Sequence, residues 1–79
     1  MRDEEVEVVG KVLMHTIEMV NDIERFGYTV DKWISERDVP GGQLDDELQR
    51  ALTSLVRALT KGHMDIVREG PMLMLTFVG

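Results

Sequence analysis

The chain has 79 residues, no cysteine, 43% hydrophobic residues and a net charge of -6 from fifteen acids against nine bases. That length excludes more than one sizeable domain, and a chain so short buries only about 60% of the surface its unfolded form exposes. With neither a disulfide nor a thiolate zinc site to staple it, residues 1–79 are expected to form one small domain supported by association with itself or with another protein.

Charge and hydropathy narrow the setting further. No stretch approaches the roughly 20 apolar residues of a membrane span, so no membrane partner is expected. "MRDEEVEVVG" carries acids where a secretory signal would be basic, and the lack of cysteine suits a reducing compartment, so the expected location is cytoplasmic. Residues 1–25 hold seven acids against three bases, while residues 41–62 hold three of each. Such acidity repels nucleic acid over distance and suits a protein partner with a basic surface.

The first predicted element is a helix over Glu4–Phe26. Val6, Val9, Leu13, Ile17, Val20 and Ile23 recur at steps of three and four, and Val12, Met19 and Phe26 recur every seven. Taken at about 100° per residue, the apolar positions from Val8 and Phe26 round to Ile17 span about 180°, wider than the roughly 100° of an ordinary surface helix. Lys11, His15, Glu18, Asp22 and Arg25 hold the other side. "EVEVVG" also alternates like a short strand ending at Gly10, which leaves the start of this element open.

"FGYT" breaks the helix at Gly27. Thr29 is placed to cap a short second helix over "VDKWISER", with Val30, Trp33 and Ile34 facing inward. "VPGG" at residues 39–42 reads as a turn. A third helix follows from Gln43 to Lys61, with Leu44, Leu48, Leu52, Leu55 and Leu59 in one stripe flanked by Ala51 and Val56. Asp45, Asp46 and Glu47 lie where the helix dipole favours negative charge, and Lys61 followed by Gly62 forms the stop. The tail reads as a hairpin: "HMDIV", the turn "REGP", and "MLMLTFV". The last strand is apolar on both faces until Thr76, which raises the question of what covers its second side. An isolated hairpin is marginal in water, so it must pack on the helices.

The chemistry-bearing residues are few. His15, Glu18 and Asp22 share a helix face, but one histidine and two carboxylates make a poor zinc site, and a solvated polar face explains them. His63 follows a helix C-terminus, where a capping or surface role suffices. "PGG" lacks the lysine and the strand–loop–helix setting of a phosphate loop, and neither Ser35 nor Ser54 stands at a nucleophile elbow. No catalytic residue, metal site or cofactor is expected. Of the six methionines, Met19 and Met64 suit core filling, while Met72 and Met74 suit either a core or an adaptable binding surface. Arg50, Arg57 and Lys61 fall within about 20° of one line opposite the leucine stripe.

"TVDKWISERDVP" resembles the second helix and turn of a winged helix-turn-helix domain. "LQRALTSLVRALTKGHMDIVREGPMLMLT" resembles that family's long helix and two-stranded wing, with Gly62, Met64, Ile66, Gly70 and Leu75-Thr76 carrying the likeness over residues 29–78. The resemblance implies a DNA-binding regulator acting as a dimer, with Arg50, Arg57 and Lys61 as its phosphate contacts. It also departs from that pattern, because the start of the recognition helix holds Asp45, Asp46 and Glu47, which a duplex repels.

The expected fold is therefore α+β and mostly helical, three helices followed by a C-terminal β-hairpin in a winged-helix-like order. The expected role is a non-catalytic protein-interaction module, a small acidic regulator or inhibitor. It would bind a larger protein or form a homodimer through Val8, Val12, Met19 and Phe26 of the first helix and Met72, Met74 and Val78 of the last strand.

Overall fold

The computed structural model describes residues 3–39 and 45–79. In chain order it contains helix α1 (Asp3–Phe26), strand β1 (Lys32–Ser35), a 3₁₀ turn (Glu36–Asp38), helix α2 (Asp46–Leu59), and strands β2 (Met64–Glu69) and β3 (Met72–Phe77). The class is α+β as expected. Its content differs: two α-helices stand where three were expected, and a three-stranded sheet where a hairpin was.

Helix α1 is continuous from Asp3, so "EVEVVG" does not form a separate strand. Burial of Val8 and Val12 against the rest of the chain outweighs the modest helix cost of β-branched residues. The helix stops at Gly27, whose φ of 81° suits glycine and whose N–H donates to the Ile23 carbonyl at 2.9 Å.

The expected second helix is replaced by β1 and the 3₁₀ turn. Thr29 does not cap a helix; its hydroxyl donates to Asp22 Oδ2 at 3.2 Å and ties the connection back to α1. "KWIS" is extended because β3 offers it a hydrogen-bonding edge, and Trp and Ile are good strand formers once paired. The side chains then alternate. Ile34 is fully buried and Lys32 reaches Glu18 on α1 at 3.4 Å, while Trp33 and Val30 are exposed, against the expectation that both face inward. Ser35 and Asp38 form a capping box over the turn, with Ser35 Oγ accepting from the Arg37 N–H and Asp38 Oδ2 from the Ser35 N–H. Val39 is buried behind it. Residues 40–44, with the rest of the "VPGG" turn and Leu44, lie outside the described residues.

Helix α2 begins one residue after its cap, Asp45, whose carboxylate accepts from the Leu48 N–H at 2.7 Å. Its end is a Schellman-type stop: the Gly62 N–H donates to the Arg57 carbonyl at 2.9 Å. The left-handed residue there is Lys61 (φ 53°), followed by Gly62 (φ 82°). Thr60 joins helix to sheet, donating to the Val56 carbonyl at 2.7 Å and accepting from the Met64 N–H at 3.1 Å.

The hairpin turns on two residues, Gly70-Pro71, between the paired Glu69 and Met72. Gly70 has φ 57°, as the first position of such a turn requires. The sheet order is β1-β3-β2, antiparallel throughout, so β3 lies in the middle. One sheet face supplies Ile34, Met64, Ile66, Leu73 and Leu75 to a core completed by Val8, Val12 and Met19 of α1 and Leu52 and Val56 of α2.

That core corrects the expected interface. Val8, Val12 and Met19 are at most 1% exposed, so the side of α1 that carries them seals the interior and is closed to a partner. The described leucine stripe is rotated likewise: Leu52 is buried with Val56, and Leu59 is exposed.

Gly10 sits inside α1 with nothing within 4 Å of the position a Cβ would take. Gly10→Ala is expected to raise the unfolding free energy by about 1 kcal/mol. For a domain of this size that moves Tm up by about 4–8 °C in dilute solution, read by circular dichroism melting.

Candidate interaction surface

Strand alternation sends every second residue of the sheet away from the helices. The register aligns those residues in rows across the three strands. Trp33, Met74 and Val67 form one row; Ser35, Met72 and Glu69 form the next; Asp65 faces Thr76 on the other side. Trp33 is 46% exposed and Val67 38%, while Met74 and Met72 between them are half-buried. Among the described residues the core clusters on the opposite face, and the register sets Met74 between Trp33 and Val67. Val78 continues the outward alternation after Thr76, with its N–H donating to the His63 carbonyl at 2.8 Å, and it is exposed.

Of the seven residues expected at an interface, Met72, Met74 and Val78 thus lie together on the outer sheet face. Phe26 is exposed at the end of α1, its ring 6.4 Å from Tyr28. Trp33 and Val67, the exposed ends of the apolar row, were not among the expected residues. Trp33 was read on a helical period, and only the strand period sends it to the side opposite Ile34.

The electrostatics of this face are acidic. Asp65 and Glu69 lie on its β2 side, and Asp31 directly precedes β1. Asp65 is engaged by Arg57, which reaches round the β2 edge from α2 with Nε 3.1 Å from Oδ1 and Nη2 3.0 Å from Oδ2. This fork-to-fork hydrogen bonding holds the Asp65 carboxyl below its usual range, against a smaller opposing effect of burial, and holds the Arg57 guanidinium above its own.

The expected cationic ridge is therefore not a set of equals. Arg57 is committed to Asp65, whereas Arg50 and Lys61 are exposed. Lys61 borders a groove of about 370 Å³ between α1, the end of α2 and β3, walled by Val20, Ile23, Leu59 and Phe77, with His63 beside it. His63 stacks on Phe77 with ring centres 6.3 Å apart. The groove's walls are mainly apolar, with Glu24 and Thr60 also among its lining residues.

The His15–Glu18–Asp22 face disperses among other partners. Glu18 pairs with Lys32, Asp22 takes the Thr29 hydroxyl, and His15 Nδ1 is buried 3.8 Å from Glu18 Oε1 without a hydrogen bond. Among the described residues no group of three or more His, Cys, Asp or Glu side chains is placed to hold a metal ion.

A pH dependence follows from the Arg57–Asp65 pair. A depressed folded-state pKa means that the pair stabilises the fold above the ordinary carboxylate pKa of about 3.9, and that this contribution is lost as pH falls through the lower folded value. Urea unfolding should therefore find Asp65→Asn less stable than the parent at about pH 6, with the gap closing towards about pH 2. A gap independent of pH would assign the effect to packing instead.

Compared with known proteins, this chain matches no family model, no curated protein and no solved structure.

Proposed function

We propose that this chain is a non-catalytic protein-interaction module, a small acidic regulator or inhibitor that docks on a larger protein through the outer face of its sheet. The observation that carries this reading is the Trp33–Met74–Val67 row, with Met72 beside it, left without a covering layer among the described residues. Covering about 300 Å² of such surface yields about 7 kcal/mol before the costs of association. Tryptophan is a common source of binding energy at protein interfaces, and methionine adapts to the shape opposite. The acids Asp31 and Glu69 beside it suit a partner whose contact surface is apolar in the middle and basic at the rim.

The alternative is a winged-helix-type DNA-binding regulator acting as a dimer. A long helix running into a two-stranded hairpin favours it. Against it stand the strand and 3₁₀ turn in place of the expected second helix, the acids Asp45, Asp46 and Glu47 at the start of α2, and the engagement of Arg57 by Asp65.

Two measurements separate the readings. Met74→Glu and Trp33→Ala should keep the parent's circular dichroism yet lose the proteins that the parent retains from an extract of its native host. Titrating one such purified protein should shift the emission of Trp33, the chain's single tryptophan, to the blue; equal retention by Met74→Glu would refute the sheet-face reading. For the alternative, duplex DNA binding should weaken steeply with salt and fall further in Arg50→Glu and Lys61→Glu. Absence of binding at low salt removes it.

A further inference from the structure

Helix α1 has a second apolar stripe that the core does not use. Val6, Met14 and Ile17 are between 52% and 60% exposed, Leu13 is half-buried beside them, and Gly10 lies open among them. The spacing of Val6, Gly10, Leu13 and Ile17, at steps of four, three and four, is that of a helix face made to meet another helix. Gly10 costs the helix stability that alanine would restore, and among the described residues nothing lies within 4 Å of the position its Cβ would take. A glycine at such a point lets a second helix backbone come close.

The charges flanking the stripe indicate which helix that is. Glu7 and Arg25 are both exposed, and neither forms an ion pair within the described residues. They are eighteen residues apart, which is five full turns, so they lie on one line of the helix about 27 Å from each other. The midpoint between them falls beside Met14 and Ile17. A second copy of α1, laid antiparallel across a two-fold axis at that midpoint, sets Glu7 of each copy against Arg25 of the other. The same operation sets Met14 and Ile17 against their equivalents and brings Asn21 over Gly10. A parallel two-fold pair would instead put the two Glu7–Arg25 lines on opposite sides of the interface, where they could not meet.

We infer that the outer stripe of α1 is a self-association surface whose occupant is a second copy of this chain, packed antiparallel. This deepens the proposed interaction role by naming one partner, and it uses the helix layer, not the sheet face that carries Trp33 and Met74. A single helix pair is a small interface, so the expected dissociation constant is in the range of roughly 1–100 µM.

Sedimentation equilibrium over that concentration range tests it, with the full chain at moderate salt. The parent should pass from monomer to dimer. Ile17→Glu, at an exposed position, should remain monomeric at every concentration with unchanged circular dichroism. Glu7→Arg and Arg25→Glu should each weaken the dimer roughly tenfold, because like charges then meet twice, and the double reversal should restore it. A parent monomeric up to about 1 mM overturns the inference. So does a dimer that is indifferent to Ile17→Glu, or one in which the double reversal binds no better than the singles. A dimer lost in Met74→Glu but kept in Ile17→Glu would move self-association to the sheet face. In every case the retention test of the sheet face stands separately, since its variants lie in the other layer.

Discussion

Strand β3 is hydrogen-bonded along both edges and apolar on both faces, and the rest of the fold is arranged around that fact. A central strand has no side that water can share cheaply. Its inward residues, Leu73 and Leu75, are fully buried under the two helices, a gain of about 1.5–3 kcal/mol for each such side chain. Among the described residues, no third layer covers the outward residues Met72 and Met74. Met74 lies between Trp33 on one neighbouring strand and Val67 on the other, and both of those are exposed. Apolar exposure has thus been displaced from the middle of the sheet to its flanks.

The same limit governs α1. One stripe of the helix, through Val8, Val12 and Met19, closes the core, and the opposite stripe through Val6, Met14 and Ile17 faces outward. A two-layer protein always has two outer faces, and in this one both carry apolar side chains. Larger domains would cover at least one of them with further elements. On the reading proposed above, a partner protein or a second copy would do the equivalent work for a chain of this length.

Much of the positive charge is used to hold the layers together. Lys32 of β1 pairs with Glu18 of α1, Lys11 of α1 with Asp38 of the 3₁₀ turn, and Arg57 of α2 with Asp65 of β2. Each pair spans two different elements, and each removes a cation from those free to meet an external anion. Each also takes up one acid, so the net charge of -6 is unchanged by the pairing, and a charge of that sign repels phosphate at a distance. Thr60 and Thr29 make the uncharged counterparts of these joints.

The body of helix α1 from Gly10 to Phe26, the main body of α2, the stops at Gly27 and Gly62, and the tight turn at Gly70-Pro71 were all legible in the amino-acid order, because each rests on neighbours within a few residues. Periodicity also foretold that α1 and β3 own more apolar surface than one neighbour consumes. Strand β1 was not legible. "VDKWISER" has helical spacing, and it became extended only because the free edge of β3, some forty residues later, supplied its hydrogen bonds. Nor could the order say which half of the wide apolar arc of α1 would face inward, so Val8, Val12 and Met19 were placed at an interface although they close the core. That choice depends on where α2 and the sheet sit around the helix axis, and only tertiary packing, which brings together residues distant in sequence, decides it.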